Sequence, residues 1–426
     1  MDALVLFGSL LIHILIGMPI AISLCLSSTI TILLFGTSTL LFQVRSIVTA
    51  VNSYPLLAIP LFILAGDLMY TGGLSKRLVN MVDAFLGSIK ASLAYVTVIA
   101  STFFGAISGS GPATVAAIGS NVIPEMEKRG YPKDYSTALA AAAGLVGVLI
   151  PPSIPFVMYG ISAEQSVSTL FIAGIIPGLL FSAGFAIVAR LLYSRLGIHA
   201  ETSRFDGKRA WACLKDGFWA LLAPIIVLGG IYGGVFSPTE AAAISVAYAI
   251  FTGVFIYKEL NFRAIVEAFT KSTRTTATCL GLVAFASTFG RLLTLQQVPN
   301  KLAQMLLSIS DNKIIILFII NIFLIFVGMF METIASIIIL TPILLPVVTS
   351  VGVDPIMFGV VMTANLAIGF CTPPLGVNLF VASGVSKLPV ERIIKAIVPY
   401  FIVMAAALLL ISYVPFISLG LPSLLK

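Results

Sequence analysis

Charged side chains are scarce in this chain: Asp, Glu, Lys and Arg make up 10% of its 426 residues, where a soluble domain carries about a quarter. That shortage excludes an ordinary soluble globular fold. Histidine and cysteine are scarcer still, with only His13 and His199 and the scattered thiols Cys25, Cys213, Cys279 and Cys371. No C-x-x-C spacing joins them, so they read as free thiols without a disulfide or metal role. The sequence has no G-x-x-x-x-G-K-[ST] loop, which argues against ATP hydrolysis by this chain, and neither H-E-x-x-H nor a Ser/His/Asp set points to an enzyme. No Ala-x-Ala site follows a basic start, so the apolar stretch 3–17 reads as a span and not as a secretory signal. The net charge of +7 does not indicate nucleic acid, because the basic residues sit in short connections between apolar runs.

What the chain does have is hydrophobic length. It is 59% hydrophobic, with a mean hydropathy of +1.11, and runs of roughly 20 apolar residues cross a lipid bilayer. The expected class is an all-α polytopic membrane protein. In the first half, spans are expected at 3–17, 19–36, 54–70 and 170–192, together with an apolar pair flanking Gly109-Ser110-Gly111-Pro112 and an interrupted helix over 134–163. The first two are short and nearly continuous, so one long kinked helix is an alternative. A polar linker, 197–216, carries Arg204, Lys208, Arg209 and Lys215. The second half gives 217–236, 238–257, 276–295, a second apolar pair over 313–349, an interrupted helix over 355–386, and 390–414. Segments 74–90, 262–274 and 301–310 carry Lys or Arg on one face and are expected to lie in the interface plane.

The interruptions are proline pairs, Pro151-Pro152 and Pro373-Pro374. Proline removes a backbone donor and pushes the preceding residue out of the helical region. In hydrocarbon the freed groups are tolerated only where they face protein or a cavity. Matching interrupted helices in two halves of one chain point to a transporter binding site. The halves superpose with one shift of 222 residues, which takes Pro124 to Pro346, Gly130 to Gly352, Gly147 to Gly369, Pro151-Pro152 to Pro373-Pro374, and Pro177 to Pro399. With the N-terminus outside and both apolar pairs turning back within the membrane, the basic connections gather on one side. These are Lys76/Arg77/Lys90, Lys128/Arg129/Lys133, 195–215, Lys258/Arg263/Lys271/Arg274 and Lys387/Arg392/Lys395. Only Arg45, Lys301, Lys313 and Lys426 fall opposite. That is the positive-inside bias; five crossings per half then make the repeats inverted, with both chain termini periplasmic. The expected organisation is scaffold and arm helices over 1–91, a transport region over 92–195, a cytoplasmic linker over 196–216, a second scaffold over 217–312 and a second transport region over 313–426.

Ser108, Gly109, Ser110 and Gly111 leave exposed amides, carbonyls and two hydroxyls at the first hairpin turn, and a helix starting at Pro112 aims its positive end there. Hydroxyls and carbonyls suit a small hard cation, whereas amides and a helix N-terminus suit a carboxylate. In the second hairpin Glu332 is the only acid between Asp311 and Asp354, a functional hypothesis by its depth. It has three candidate roles: holding a cation, titrating with a proton, or capping the next helix. Asn378, after the second interruption, can reach substrate or backbone. Asp67 reads as interfacial, Glu240 as a helix-start acid after Ser237-Pro238, Arg291 as a snorkelling side chain and His13 as packed and satisfied.

Six stretches in order resemble the large membrane subunit of tripartite ATP-independent periplasmic (TRAP) transporters. They are Ala58-Ile-Pro60-Leu-Phe62-Ile-Leu-Ala-Gly66, Ser108-Gly-Ser-Gly-Pro-Ala-Thr114, Ile150-Pro-Pro-Ser153, Pro238-Thr-Glu240-Ala, Leu340-Thr-Pro-Ile-Leu-Leu-Pro346 and Thr372-Pro-Pro-Leu-Gly376. The resemblance implies an inverted-repeat, elevator-type transporter with two re-entrant helical hairpins and two broken helices. It implies sodium-coupled uptake of a small organic anion, of sialic acid or C4-dicarboxylate type, across the bacterial inner membrane. Its implied partners are a periplasmic substrate-binding protein and a small four-helix membrane subunit, expected as a separate polypeptide. It also implies two Na+ sites. One would use Ser108, Gly109, Ser110, Gly147, Ile150 and Ser153; the other would use Gly328, Thr333, Gly369, Thr372 and Leu375, partly through backbone carbonyls. Ser108, Ser110 and Ser153 would lie near the substrate. The family often has Asp near the second hairpin turn; Glu332 here is longer. Rival readings are a stand-alone sodium/anion symporter of related two-hairpin design, and a channel or structural membrane scaffold.

Overall fold

The structure, a computed structural model, describes residues 2–202, 205–310 and 312–424. The side chains of Leu306, Leu307 and Ile309, and the sequence expectations that involve Arg204, Asp311 and Lys426, lie outside the described residues. Among those described there is helix and loop but no strand. Eight helices are long and apolar enough to cross a membrane, or nine if one bent pair counts as a single span.

In the first half, α1 (Asp2–Leu15) and α2 (Ile20–Phe35) are two helices packed on each other, not one kinked helix. The chain reverses at Gly17, whose φ is 87°, with Gly17 N–H on Ile14 O at 2.9 Å and Met18 N–H on His13 O at 3.0 Å. His13 leaves Nδ1 without a hydrogen-bond partner, against the expectation that it is satisfied. Helix α3 (Leu40–Val51), missed in the hydropathy pattern, starts where Thr39 Oγ1 accepts from Phe42 N–H at 3.1 Å. There follow α4 (Ala58–Thr71), the amphipathic α5 (Leu74–Leu86), and the first hairpin, α6 (Ser92–Ser108) and α7 (Gly111–Lys128). The first interrupted helix comprises α8 (Lys133–Gly144), α9 (Val146–Leu149) and α10 (Ile154–Ser162), and α11 (Val167–Arg195) closes the half.

The second half opens with α12 (Gly207–Tyr232), capped by Asp206 and so beginning inside the polar linker. Next come α13 (Pro238–Phe251) and α14 (Phe262–Leu295). Glu240 completes a capping box with Ser237 at the start of α13. Helix α14 runs 34 residues without a break, so 262–274 is not a separate interfacial segment. No proline stands between Phe262 and Leu295 to stop it, and at 1.5 Å per residue it reaches about 51 Å, well past the hydrocarbon slab. Helix α15 (Val298–Ile309) leads to the second hairpin, α16 (Lys313–Phe330) and α17 (Thr333–Ser350). The second interrupted helix is α18 (Pro355–Gly369) and α19 (Val377–Ser386), followed by α20 (Val390–Tyr413) and α21 (Pro415–Leu424). Like α3, α21 was not expected; it packs back on α11 and α18.

The two repeats run in opposite directions. At the start of α8, Asp134 pairs at 2.6 Å with Arg392 near the start of α20, just past the end of α19. At the far end of α10, Tyr159 donates its hydroxyl hydrogen to Pro355 O, the first residue of α18, at 2.7 Å. The beginning of each interrupted helix therefore lies beside the end of the other. Helix α19 packs on α7 and α10 on α17, so each distal half-helix backs the hairpin of the opposite repeat.

A charge cluster holds the root of the first hairpin. Arg129, which ends α7, donates from Nη1 and Nη2 to the two Asp83 carboxylate oxygens, each at 2.9 Å, and from Nε to Glu125. Arg209 adds a third contact to Asp83 at 3.0 Å. Burial opposes the Arg129 charge, but Asp83 and Glu125 outweigh it and hold the guanidinium above its ordinary value. The Asp83 and Arg129 side chains are 6% and 14% exposed, so breaking the pair strands a largely desolvated charge. Asp83→Asn is expected to cost about 3 kcal/mol, read as a lowered thermal unfolding midpoint in detergent. An unchanged midpoint would mean that the pair behaves as a solvated surface contact.

Candidate functional site

The first interruption begins as proline chemistry dictates. Ile150, before Pro151, has left the helix for an extended conformation (φ −72°, ψ 126°), and each proline pair contains a cis bond. The backbone groups released there bind the hairpin tips. Ile154 N–H donates to Gly109 O at 3.3 Å in the first repeat, and Leu375 N–H donates to Met329 O at 3.0 Å in the second. Each hairpin also meets its interrupted helix through a pair of glycines, Gly105 on Gly147 and Gly328 on Gly369. A Cβ on Gly105 would stand 2.7 Å from Gly147 Cα, and one on Gly369 would stand 2.7 Å from Gly328 Cα. Gly109 ends α6 with φ +61°, and a Cβ there would meet Pro152 O at 2.5 Å, so both its conformation and its space demand glycine.

The two tips meet at one cavity of about 420 Å³. Its wall takes in Ser108 to Ala113 from the first tip, Val148, Ile154 and Pro155 from the first interruption, Glu332 to Ile334 from the second tip, and Phe370 and Val377 from the second interruption. The first turns of α7, α10, α17 and α19 thus all border one space. Helix N-termini carry partial positive charge that favours an anion; here Ser110 caps Ala113 N–H of α7, Ser153 caps Phe156 N–H of α10, and the Glu332 carboxylate already takes Ile334 and Ala335 N–H of α17. The scaffold side adds Asp67 from α4 and Lys271 from α14, with Lys271 Nζ 2.5 Å from Asp67 Oδ1. Among the described residues, Lys271 is the one cationic side chain on this wall. The sequence read Asp67 as interfacial and Lys271 as part of an interfacial segment; both line the cavity wall.

Neutral oxygens crowd the first tip. Thr114 Oγ1 lies 3.1 Å from Ser108 Oγ and donates to Ser110 O at 2.8 Å, while Ser108 Oγ donates to the same carbonyl at 3.4 Å. Ser110 Oγ caps α7 by accepting from Ala113 N–H. Gly147 faces this group: a Cβ there would overlap Thr114 Oγ1 and stand 3.0 Å from Ser110 O. No cluster of three or more His, Cys, Asp or Glu side chains suited to a metal occurs among the described residues, so an ion at this tip would be held by hydroxyl and carbonyl oxygens.

Of the sequence-predicted residues, Ser108, Gly109, Ser110, Glu332 and Thr333 share the cavity wall. Glu332 caps α17, its Oε2 accepting from Ile334 N–H at 3.0 Å and Ala335 N–H at 3.2 Å. Thr333 Oγ1 is buried and has no hydrogen-bond partner. Ser153, Gly147 and Ile150 lie behind the first tip and not on the wall. Ser153 is fully buried, donating to Val148 O at 2.5 Å and capping α10 through Phe156 N–H. Gly328, Gly369, Thr372 and Leu375 surround the second tip outside the wall. Asn378 turns from the cavity and donates to Ala141 O at 3.1 Å, tying one interrupted helix to the other. Sequence reasoning missed Lys271, Thr114, Gly105, and the pair Gly174 and Gly178, which let α11 cover the first interruption. The G-x-x-x-G spacing of that last pair was a readable packing signal.

The family model described as "Tripartite ATP-independent periplasmic transporter, DctM component" matches residues 7–417. The chain is 46% identical, over 97% of its length, to the isethionate TRAP transporter permease protein DctMQ of Oleidesulfovibrio alaskensis, of which it spans 65%. It is 37% identical to the C4-dicarboxylate TRAP transporter large permease protein DctM of Rhodobacter capsulatus, over the whole of both chains. It is 35% identical to the sialic acid TRAP transporter large permease protein SiaM of Vibrio cholerae, over 96% of this chain and 95% of that one. Among solved structures, the Alcanivorax borkumensis YdaH transporter shares the fold at a TM-score of 0.57 and 19% identity, over 90% of this chain and 88% of that one.

Proposed function

The chain belongs to the DctM component family of tripartite ATP-independent periplasmic transporters, and on that premise we propose that it carries a small organic anion across the bacterial inner membrane, coupled to inward sodium movement. Four helix N-termini and one ammonium group on a single cavity carry this reading. The helix dipoles favour a negative substrate, Asp67 holds Lys271 and Glu332 caps α17 until it arrives, and the substrates named for the relatives above are all anions. The acidic group sits among the α7, α10, α17 and α19 N-termini, with Lys271 leaving Asp67 to meet it. Sodium binds the oxygens at the hairpin tips, at Ser108, Ser110 and Thr114 in the first repeat and near Thr333 in the second. It offsets the substrate's charge and closes the tips against the interruptions. The hairpins and interrupted helices then move as one body against the scaffold, so the loaded carrier crosses more easily than the half-loaded one. A periplasmic binding protein delivers the substrate and a small four-helix membrane subunit enlarges the scaffold. The basic connections face the cytoplasm and both termini the periplasm.

Ser108→Ala removes a hydroxyl from the tip without altering the helix, and uptake into proteoliposomes is expected to fall between tenfold and a hundredfold, roughly the worth of one contact to a charged group. Ser153→Ala, which withdraws the α10 cap behind the same tip, is expected to abolish uptake while leaving the protein in the membrane. Wild-type rates in both variants would remove these residues from the site. The coupling ion is read by comparing uptake driven by a sodium gradient with uptake driven by a pH gradient: transport under the pH gradient alone would overturn sodium coupling.

A further inference from the structure

A second cavity, of about 460 Å³, lies far along the chain from both hairpin tips, where α11 ends and the linker between the halves begins. Its lining includes Lys90 from the turn after α5, Arg190 and Ser194 from the last turns of α11, and His199 and Thr202 from the linker. Among the described residues no Asp or Glu lines it. Neither Lys90 nor Arg190 has a carboxylate within ion-pair distance among the described residues. Arg190 donates only to Ser194 Oγ. The C-terminal carbonyls of α11, which would repel an anion, are turned to other work: Ser194 O accepts from Gly197 N–H at 3.2 Å and Tyr193 O from Ile198 N–H at 3.1 Å. Tyr193 also accepts from Ala200 N–H at 3.3 Å, which fixes the linker as the opposite wall. Two cations, an imidazole and the hydroxyls of Ser194 and Thr202 thus border, from two stretches of chain, a space large enough for a phosphate ester.

The surroundings say which phosphate ester. Ile89, beside Lys90, is 42% exposed, and Ile187, Leu191 and Leu196, within a few residues of Arg190 and Ser194, are 60%, 63% and 58% exposed. Ile187 and Leu191 lie on α11, a helix long and apolar enough to cross the bilayer, Leu196 just past its end and Ile89 in the turn after α5, so exposed apolar surface flanks the cleft. A free phosphate needs the polar lining alone; the headgroup of a phospholipid needs that lining with an apolar surface directly beside it. The cleft also lies on the face to which the charge bias assigns the basic connections, where basic pockets between transmembrane helices hold anionic headgroups. We propose that this cleft is a binding site for the phosphate headgroup of an anionic phospholipid, whose acyl chains lie along α11. The lipid would join the end of α11, the α5–α6 turn and the linker between the repeats. This proposal does not depend on the transported substrate.

The test uses the full chain in mild detergent, supplied with phosphatidylglycerol or phosphatidylcholine, with retained lipid counted by native mass spectrometry. The wild-type protein is expected to retain phosphatidylglycerol roughly tenfold better. Lys90→Ala with Arg190→Ala should remove that preference, and Lys90→Ala alone, at an exposed position that folding does not need, should weaken it. Arg195→Ala, in the last turn of α11 but off the cleft, should leave it intact. Equal retention of the two lipids, or a preference that survives in the double variant, would overturn the proposal. Displacement of phosphatidylglycerol by millimolar inorganic phosphate would overturn the lipid assignment in favour of a free anion.

Discussion

Gly369→Ala is expected to lower the initial rate of uptake more than a hundredfold, and Gly147→Ala about tenfold. The two positions are equivalents in the inverted repeats, but an added methyl meets different atoms at each. At Gly369 it strikes the main chain of Gly328, overlapping its carbonyl group and standing 2.7 Å from its Cα. Backbone has no rotamer with which to yield, so the second hairpin must separate from its interrupted helix, losing the Leu375–Met329 hydrogen bond. At Gly147 the methyl strikes the Thr114 hydroxyl, which can rotate, though only by giving up its bonds to Ser108 and Ser110. Overpacking of this kind costs about 1–3 kcal/mol, and in both cases the strain falls on the tip that borders the cavity. Rates in proteoliposomes, normalised to inserted protein and set beside thermal unfolding midpoints, separate a damaged site from a damaged fold. Wild-type rates in both variants would show that the hairpins need not lie so close to the interruptions during transport.

Lys271→Ala is expected to raise the half-saturation concentration for an anionic substrate about a hundredfold. A charge-assisted contact contributes up to about 3 kcal/mol, and each 1.4 kcal/mol is about a factor of ten. Lys271→Arg keeps the charge and should recover part of the loss; Lys271→Gln keeps only the length and should not. Asp67→Asn is expected to act the other way, since it frees the ammonium group from its 2.5 Å partner and should lower half-saturation unless turnover depends on the pair re-forming. A change confined to the maximal rate, with half-saturation unmoved in Lys271→Ala, would make the pair a hinge element and not a substrate contact.

The limits of sequence reading show most clearly at Asp67 and Lys271. They are 204 residues apart, each stands among apolar or mixed neighbours, and nothing local distinguishes either from an interfacial side chain. Lys271 also looked like part of a separate amphipathic arm. The uninterrupted α14 carries it to the cavity instead, because no proline or cap stops that helix between Phe262 and Leu295. Glu332 was legible as important by depth, but the choice among its candidate roles was a matter of geometry; its Oε2 caps α17. Asn378 was legible as polar in an apolar run, while its direction, toward Ala141 and away from the cavity, depended on how α19 lies against α8. Helices α3 and α21 escaped notice because twelve and ten residues are too few to give a span signal.

The sequence by itself determined the class, the internal duplication and the two places where the helices break. These follow from local chemistry: too little charge for water, prolines that remove donors, and glycines repeated at one spacing. Tertiary structure alone decided that the four half-helix starts surround one cavity, which residue provides its positive charge, and which of the candidate side chains face it. Those are matters of direction and distance between segments far apart in the chain, and local propensity carries no record of them.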